Sequence, residues 1–246
     1  MIQKITNEIK SKLKENVRTL TQDQKERMLK IFNSSNPNFN TYALKISEIE
    51  KIVRDVFKEN NASFDDSIEI FKILLKSNIN DEKFAGFFFI NKFKKHFDEQ
   101  TINLFHDALF ESCDTWALCD SSVIRVIGPF LSKYDKLTKK TIEKWSHSEN
   151  LWIRRASMVS LLKIISLKKD FDESYVFNLV EKMLLNNEDY IQKGIGWLLK
   201  TCSKYKPGII FNYLEENKKT LPRLILRYAS EKLPKEKRTQ ILKNNL

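Results

Sequence analysis

Apolar residues return at three- and four-residue spacing along nearly the whole chain, and that rhythm breaks at almost constant intervals. The spacing lines one face of a helix, as in Ile68, Phe71, Leu74 and Leu75, then Ile102, Phe105 and Leu109, then Val176, Leu179, Val180 and Met183. The breaks are polar or proline-containing: Asn36-Pro37-Asn38, Asn78-Ile79-Asn80-Asp81, His147-Ser148-Glu149-Asn150, Asn186-Asn187-Glu188 and Lys206-Pro207-Gly208. Ser, Asn or Asp often stands just before the next run, as a helix N-cap does. Taken in pairs, the helices form hairpins whose first members begin near Ser63, Asp98, Asp135, Asp172 and Pro207, spaced by 35, 37, 37 and 35 residues. A period in this range predicts stacked helical hairpins forming a right-handed solenoid. Glycine and proline number only five each, too few for the turns of a β-sandwich or barrel. Residues 1–62 are less regular and read as two or three capping helices with a looser stretch from Asn33 to Tyr42. The expectation is one all-α domain over residues 1–246, with hairpins over 63–246.

Charge narrows the partner. Lysine and arginine number 43 against 32 acids, a net charge of +11, which favours a polyanion such as nucleic acid over a membrane surface. A lysine-rich proteome would give the same balance without any such partner. Cys113, Cys119 and Cys202 show no metal-ligand spacing and suit a reducing compartment. Met1 to Arg18 is amphipathic and punctuated by lysine, unlike a signal peptide, and the apolar run Phe84 to Ile90 is too short to span a bilayer. A cytoplasmic monomer is expected, nucleoid-associated if prokaryotic.

Two segments match each other: Asn150-Leu151-Trp152-Ile153-Arg154-Arg155-Ala156 aligns with Glu188-Asp189-Tyr190-Ile191-Gln192-Lys193-Gly194, and Asp114-Thr115-Trp116 opens more loosely in the same way. The shared pattern resembles the second helix of a HEAT repeat, so the fold class is an all-α, HEAT-like solenoid with a basic concave groove lined by second helices. On those helices Trp116 and Asp120 are four residues apart, Arg155 follows Trp152 by three, and Lys193, Trp197 and Lys200 form a stripe. In register, they would gather two indoles, a carboxylate and several cations.

Each residue has a plainer reading. Tryptophans at helical spacing are usually core, and Trp145 and Trp152 are read that way. Asp120 could be solvated or paired with Arg125 or Arg155, and Arg154-Arg155 could be a solvated face or belong to the repeat's own polar ladder. Gly194 and Gly196 inside a helix suggest close approach by a neighbour or a ligand. His96, His106 and His147 lie outside the set and are read as structural or exposed.

The segments Asp114-Thr115-Trp116-Ala117-Leu118-Cys119-Asp120, Asn150 to Ala156 and Tyr190-Ile191-Gln192-Lys193-Gly194-Ile195-Gly196-Trp197-Leu198-Leu199-Lys200 resemble, in order and spacing, three signature segments of AlkD-type DNA alkylation repair glycosylases. Leu221-Pro222-Arg223-Leu224-Ile225-Leu226-Arg227-Tyr228-Ala229 is similar to that family's C-terminal basic helix, and the likeness runs from about Asp98 to Leu233. The resemblance implies a monofunctional glycosylase that hydrolyses the N-glycosidic bond of cationic N3- and N7-alkylpurines in duplex DNA. The base would stay largely in the duplex, with no lyase step, metal or cofactor. It implies Asp120 as the catalytic carboxylate and Trp116 and Trp197 as the cradle for the lesion's deoxyribose. Arg155 would hold the backbone near the lesion, and Tyr190, Lys193, Lys200, Arg223 and Arg227 would extend the DNA contact. Two departures stand out: Lys200 replaces a frequent Arg, and Ala43 stands where Gly is common. Rival expectations are a DNA-binding member that does not cut, and a HEAT-type protein scaffold.

Overall fold

The computed structural model describes residues 1–243. The chain divides into two compact units, Met1–Phe130 and Leu131–Leu246. The first holds α1 (Ile2–Glu15), α2 (Gln22–Phe32), α3 (Ile46–Glu59), α4 (Phe64–Leu75), α5 (Asn80–Ile90), α6 (Glu99–Ser112) and α7 (Trp116–Ser122). From α7 the helix runs through a π-helical stretch, Val123–Ile127, into α8 (Gly128–Leu131). The second unit holds α9 (Asp135–Ser146), α10 (Leu151–Lys168), α11 (Glu173–Met183), α12 (Asp189–Cys202), α13 (Pro207–Asn217), α14 (Arg223–Ala229) and α15 (Lys235–Leu242). Among the described residues there is no strand, only an isolated bridge between Asn40 and Ile79.

All five expected hairpin starts fall on helix starts. Ser63, Asp98 and Asp172 are the N-caps of α4, α6 and α11, while α9 opens on Asp135 and α13 on Pro207. The caps work because the first backbone N–H groups of a helix have no partner within it. Asp98 accepts from the Thr101 amide at 2.8 Å and Asp172 from the Tyr175 amide at 3.0 Å. Proline suits the first turn of α13, where its missing N–H costs nothing.

The Asp98 cap predicts a pH-dependent stability term. Hydrogen bonds from the Thr101 amide hold its carboxyl below the usual aspartate range. A depressed folded-state pKa stabilises above the unfolded value, and that contribution is lost as pH falls through the folded one. Asp98→Ala should therefore lose about 1 kcal/mol at neutral pH. Urea titrations should show the gap between the two proteins closing as pH drops below about 4.

In the first unit the core is aromatic. Phe71 meets Phe87 and Phe105 edge-on, with ring centres 5.0 and 5.7 Å apart. Phe84 to Ile90, the apolar run of the sequence, forms the body of α5, which is buried along its whole length. A helix that is apolar around its circumference needs neighbours on every side, and α1, α3, α4 and α7 supply them.

The loop before α3 wraps around the first turn of α5. Asp81 accepts from the Thr41 hydroxyl at 2.5 Å, the Tyr42 amide at 2.9 Å and the Leu44 amide at 3.1 Å. Burial, then the charges of Glu82 and Asp81, hold the Tyr42 phenol above its usual range. Ala43, between these contacts, has φ +59°, in the left-handed region. A Cβ is disfavoured there by about 1–2 kcal/mol, while glycine's extra freedom in the unfolded chain returns about 0.4–1 kcal/mol. Ala43→Gly should raise stability by about 0.5–1 kcal/mol on these terms, read as a higher urea midpoint at unchanged slope.

In the second unit α10 is the central helix, packed against α9 and α12. Trp145 and Trp152 are buried, as read from the sequence, and no helix among the described residues is long and apolar enough to cross a membrane.

Candidate functional site

In the first unit, Thr115 caps α7, accepting from the Leu118 amide at 3.2 Å. That cap makes Trp116 the first residue of the helix. Its half-buried indole donates from Nε1 to the Ile31 carbonyl at 2.8 Å, in the last turn of α2. Asp120 follows one turn later on the same face and is only 6% exposed. Arg125, weighed as its partner, reaches Glu50 at 2.7 Å instead.

Directly after Asp120 and its neighbours the helix widens. The Gly128 amide bonds to the Val123 carbonyl, a five-residue step. The cause lies just ahead, since Pro129 has no N–H to give an α-helical partner and its ring would crowd the preceding turn. Sequence reading expected an ordinary second helix here. The missed signal was the β-branched run Val123-Ile124-Arg125-Val126-Ile127 ending at Gly128-Pro129.

In the second unit the tandem arginines are ladder residues. Arg154 donates to the Ser148 and Glu149 carbonyls at 2.8 and 2.7 Å and pairs with Glu188. Arg155 is buried and donates to the Tyr190 carbonyl at 2.5 Å, fixing the first turn of α12. The Tyr190 ring lies 5.2 Å from that of Trp152, and the Lys193 ammonium stands 5.6 Å from the Tyr190 ring centre. Lys193 also approaches Asp189 at 3.4 Å.

Further along α12, Trp197 is half-buried and Lys200 pairs with Glu231 at 2.9 Å. Lys200 also stands 5.6 Å over the ring of Tyr228, a residue the sequence placed in the basic helix without giving it a role. The glycines explain that closeness. A Cβ at Gly196 would meet the Tyr228 Cβ at 2.5 Å, and one at Gly194 would meet the end of Met158 at 2.8 Å. In both cases the close neighbour is the protein itself.

Arg227 is exposed on α14, while Arg223, also exposed, donates to the Leu242 carbonyl at 2.6 Å. The structure thus joins Trp116 with Asp120 on one helix face, and Arg155, Tyr190 and Lys193 around the start of α12. Lys200 joins the α14 residues through Tyr228, and Arg223 sits toward α15. Among the described residues no group of three or more His, Cys, Asp or Glu is placed to hold a metal.

Comparison with known proteins addresses these helices as a whole. No curated protein matches the chain. A solved structure described as a predicted DNA alkylation repair enzyme from Enterococcus faecalis superposes with a TM-score of 0.71 at 17% identity, covering 89% of this chain and 99% of that one. At that identity the likeness speaks for the fold. The family model described as DNA alkylation repair enzyme matches residues 9–233. Since that match takes in most of the chain, including α3 to α14 and every candidate site residue, the chain belongs to the DNA alkylation repair enzyme family.

Proposed function

We propose that this protein is a monofunctional DNA glycosylase that releases N3- and N7-alkylated purines from duplex DNA by hydrolysing the N-glycosidic bond. The observation that carries the reading is a nearly buried carboxylate, Asp120, one helical turn from a half-buried tryptophan, Trp116. Membership of an alkylation repair family supplies DNA as the substrate.

The chemistry suits such a pair. Alkylation at N3 or N7 makes the purine cationic, so it leaves with the electron pair of the C1′–N bond and becomes neutral. The sugar gains oxocarbenium character, which a carboxylate in a low-dielectric setting stabilises. An indole face, negative in its quadrupole, favours the same cation. Water then adds to C1′ and loses a proton to the surrounding solvent, with Asp120 assigned to orient it. Because the leaving group carries its own charge, this route asks for no acid on the base, no metal and no cofactor.

In the second unit, Trp197 is assigned an aromatic contact to the DNA sugar. Arg155 and Tyr190 are assigned to the backbone near the lesion, and Lys193, Lys200, Arg223 and Arg227 to a phosphate track. Readout through sugar and backbone would leave the base in the stack and select cationic lesions by their reactivity.

The test is release of 7-methylguanine or 3-methyladenine from methylated duplex DNA by the purified protein. Free base in the supernatant supports the reading. Salt-sensitive binding with no base release would replace it with a binding role, and absence of DNA affinity near physiological salt would replace it with a protein scaffold.

A further inference from the structure

Three successive charged residues open α5, and all three are buried: Asp81, Glu82 and Lys83. Together they hold the loop before α3, the helix α1 and the segment ahead of α7. Asp81 holds the loop at 41–44, as described above. Glu82 pairs with Lys10 at 3.1 Å and accepts from the Tyr42 hydroxyl at 3.0 Å. Lys83 reaches the chain just ahead of α7, donating to the Ser112 carbonyl at 2.8 Å and to Asp114 Oδ2 at 3.0 Å.

That short segment is gripped from a second side. Asn36 donates to Asp114 Oδ2 at 3.3 Å, and the Ser35 amide donates to the Asp114 carbonyl at 3.3 Å. Trp116 itself bonds to the Ile31 carbonyl. Lys83 and residues 31–36 therefore clamp Ser112, Asp114 and Trp116 from two sides, with Lys83 and Asp114 buried and the 31–36 side open to solvent.

We infer that Lys83 and Asp114 are positioning residues that set the direction in which Trp116 is presented. The inference rests on the reading of Trp116 as a substrate contact. Apolar side chains could fill the same space with no loss of stability, as they often can in place of a buried ion pair. They would not fix a direction, whereas an ammonium held by one carbonyl and one carboxylate does. Small misplacements of a group at a reaction centre cost far more in rate than in binding.

The experiment uses the full chain labelled with 5-fluorotryptophan and its fluorine NMR spectrum. Four tryptophans give four lines, and Trp116→Phe assigns the one that matters. In Asp114→Asn the Trp116 line should move or broaden while the other three stay. With methylated DNA, kcat should fall by on the order of 100-fold with KM little changed. The same substitution should cost almost nothing further in a Trp116→Phe background, because both changes remove one interaction.

A folded Asp114→Asn protein with an unmoved Trp116 line, or with effects that add to those of Trp116→Phe, overturns the inference. Should that variant not fold, Asn36→Ala removes the clamp's more exposed bond, and the same two readouts decide. If the wild-type protein releases no base, the glycosylase reading fails, and the fluorine spectra still settle whether the pair positions Trp116.

Discussion

Asp120→Asn is expected to slow release of alkylated purines by about 100- to 1,000-fold, the usual cost of removing one preorganised electrostatic group from a transition state. Asparagine keeps the size of the side chain, so a residue only 6% exposed can be exchanged without opening a cavity. What is lost is charge. A carboxylate facing a developing oxocarbenium ion acts through little water here, and its interaction is stronger than the same pair in bulk solvent. Affinity for undamaged DNA should hold or rise slightly, since removing a negative charge beside phosphates relieves repulsion. Single-turnover release from methylated duplex DNA, with anisotropy on unmodified duplex alongside, separates the two. Equal release by both proteins would take Asp120 out of the mechanism.

Gly196→Ala should destabilise the second unit by about 2 kcal/mol. The new methyl would fall 2.5 Å from the Tyr228 Cβ and 3.3 Å from the Ile225 carbonyl oxygen, atoms close to or in the backbone of α14 that cannot swing aside. A clash with atoms in or next to the backbone stands at the top of the usual overpacking range, about 3 kcal/mol, against about 1 kcal/mol gained from alanine's better helix propensity. Gly194→Ala is the matched control. Its methyl would meet the far end of Met158, a flexible thioether that can rotate away, so its stability should stay within about 0.5 kcal/mol of wild type. At about 2–4 °C per kcal/mol for chains of this size, the calorimetric transition should drop by about 4–8 °C for Gly196→Ala alone. Pushing α14 away would also separate Tyr228 from Lys200 and weaken DNA binding. A Gly196→Ala protein as stable as Gly194→Ala would mean that α12 and α14 can part freely.

The repeat was legible because its determinants are local. Ser63, Asp98 and Asp172 cap helices whatever surrounds them, and Pro207 fits only the first turn of one. Three- and four-residue spacing likewise shows which face of a helix will be covered, and Trp145 and Trp152 were read as core on that ground alone. The candidate pair Trp116 and Asp120 was visible for the same reason, because four residues bring two side chains to one face. The sequence allows the tandem arginines a solvated face or a place in the ladder, and Arg154 takes the ladder through the Ser148 and Glu149 carbonyls.

Other features depend on groups distant in the chain. Asn78 to Asp81 reads as a polar joint, yet Asp81, Glu82 and Lys83 are among the most buried charges, satisfied by Thr41, Lys10 and Asp114. Nothing within a few residues announces those partners. For Gly194 and Gly196 the sequence required a close neighbour without saying which, and the structure names Met158 and Tyr228.

Sequence by itself determined where helices begin and which faces they bury, since propensity, capping and periodicity act over a single turn. Tertiary structure alone decided which buried charges meet and what holds the Trp116 indole. The cost of burying a polar group is set by the partner it finds, and that partner is brought by the packing of other helices.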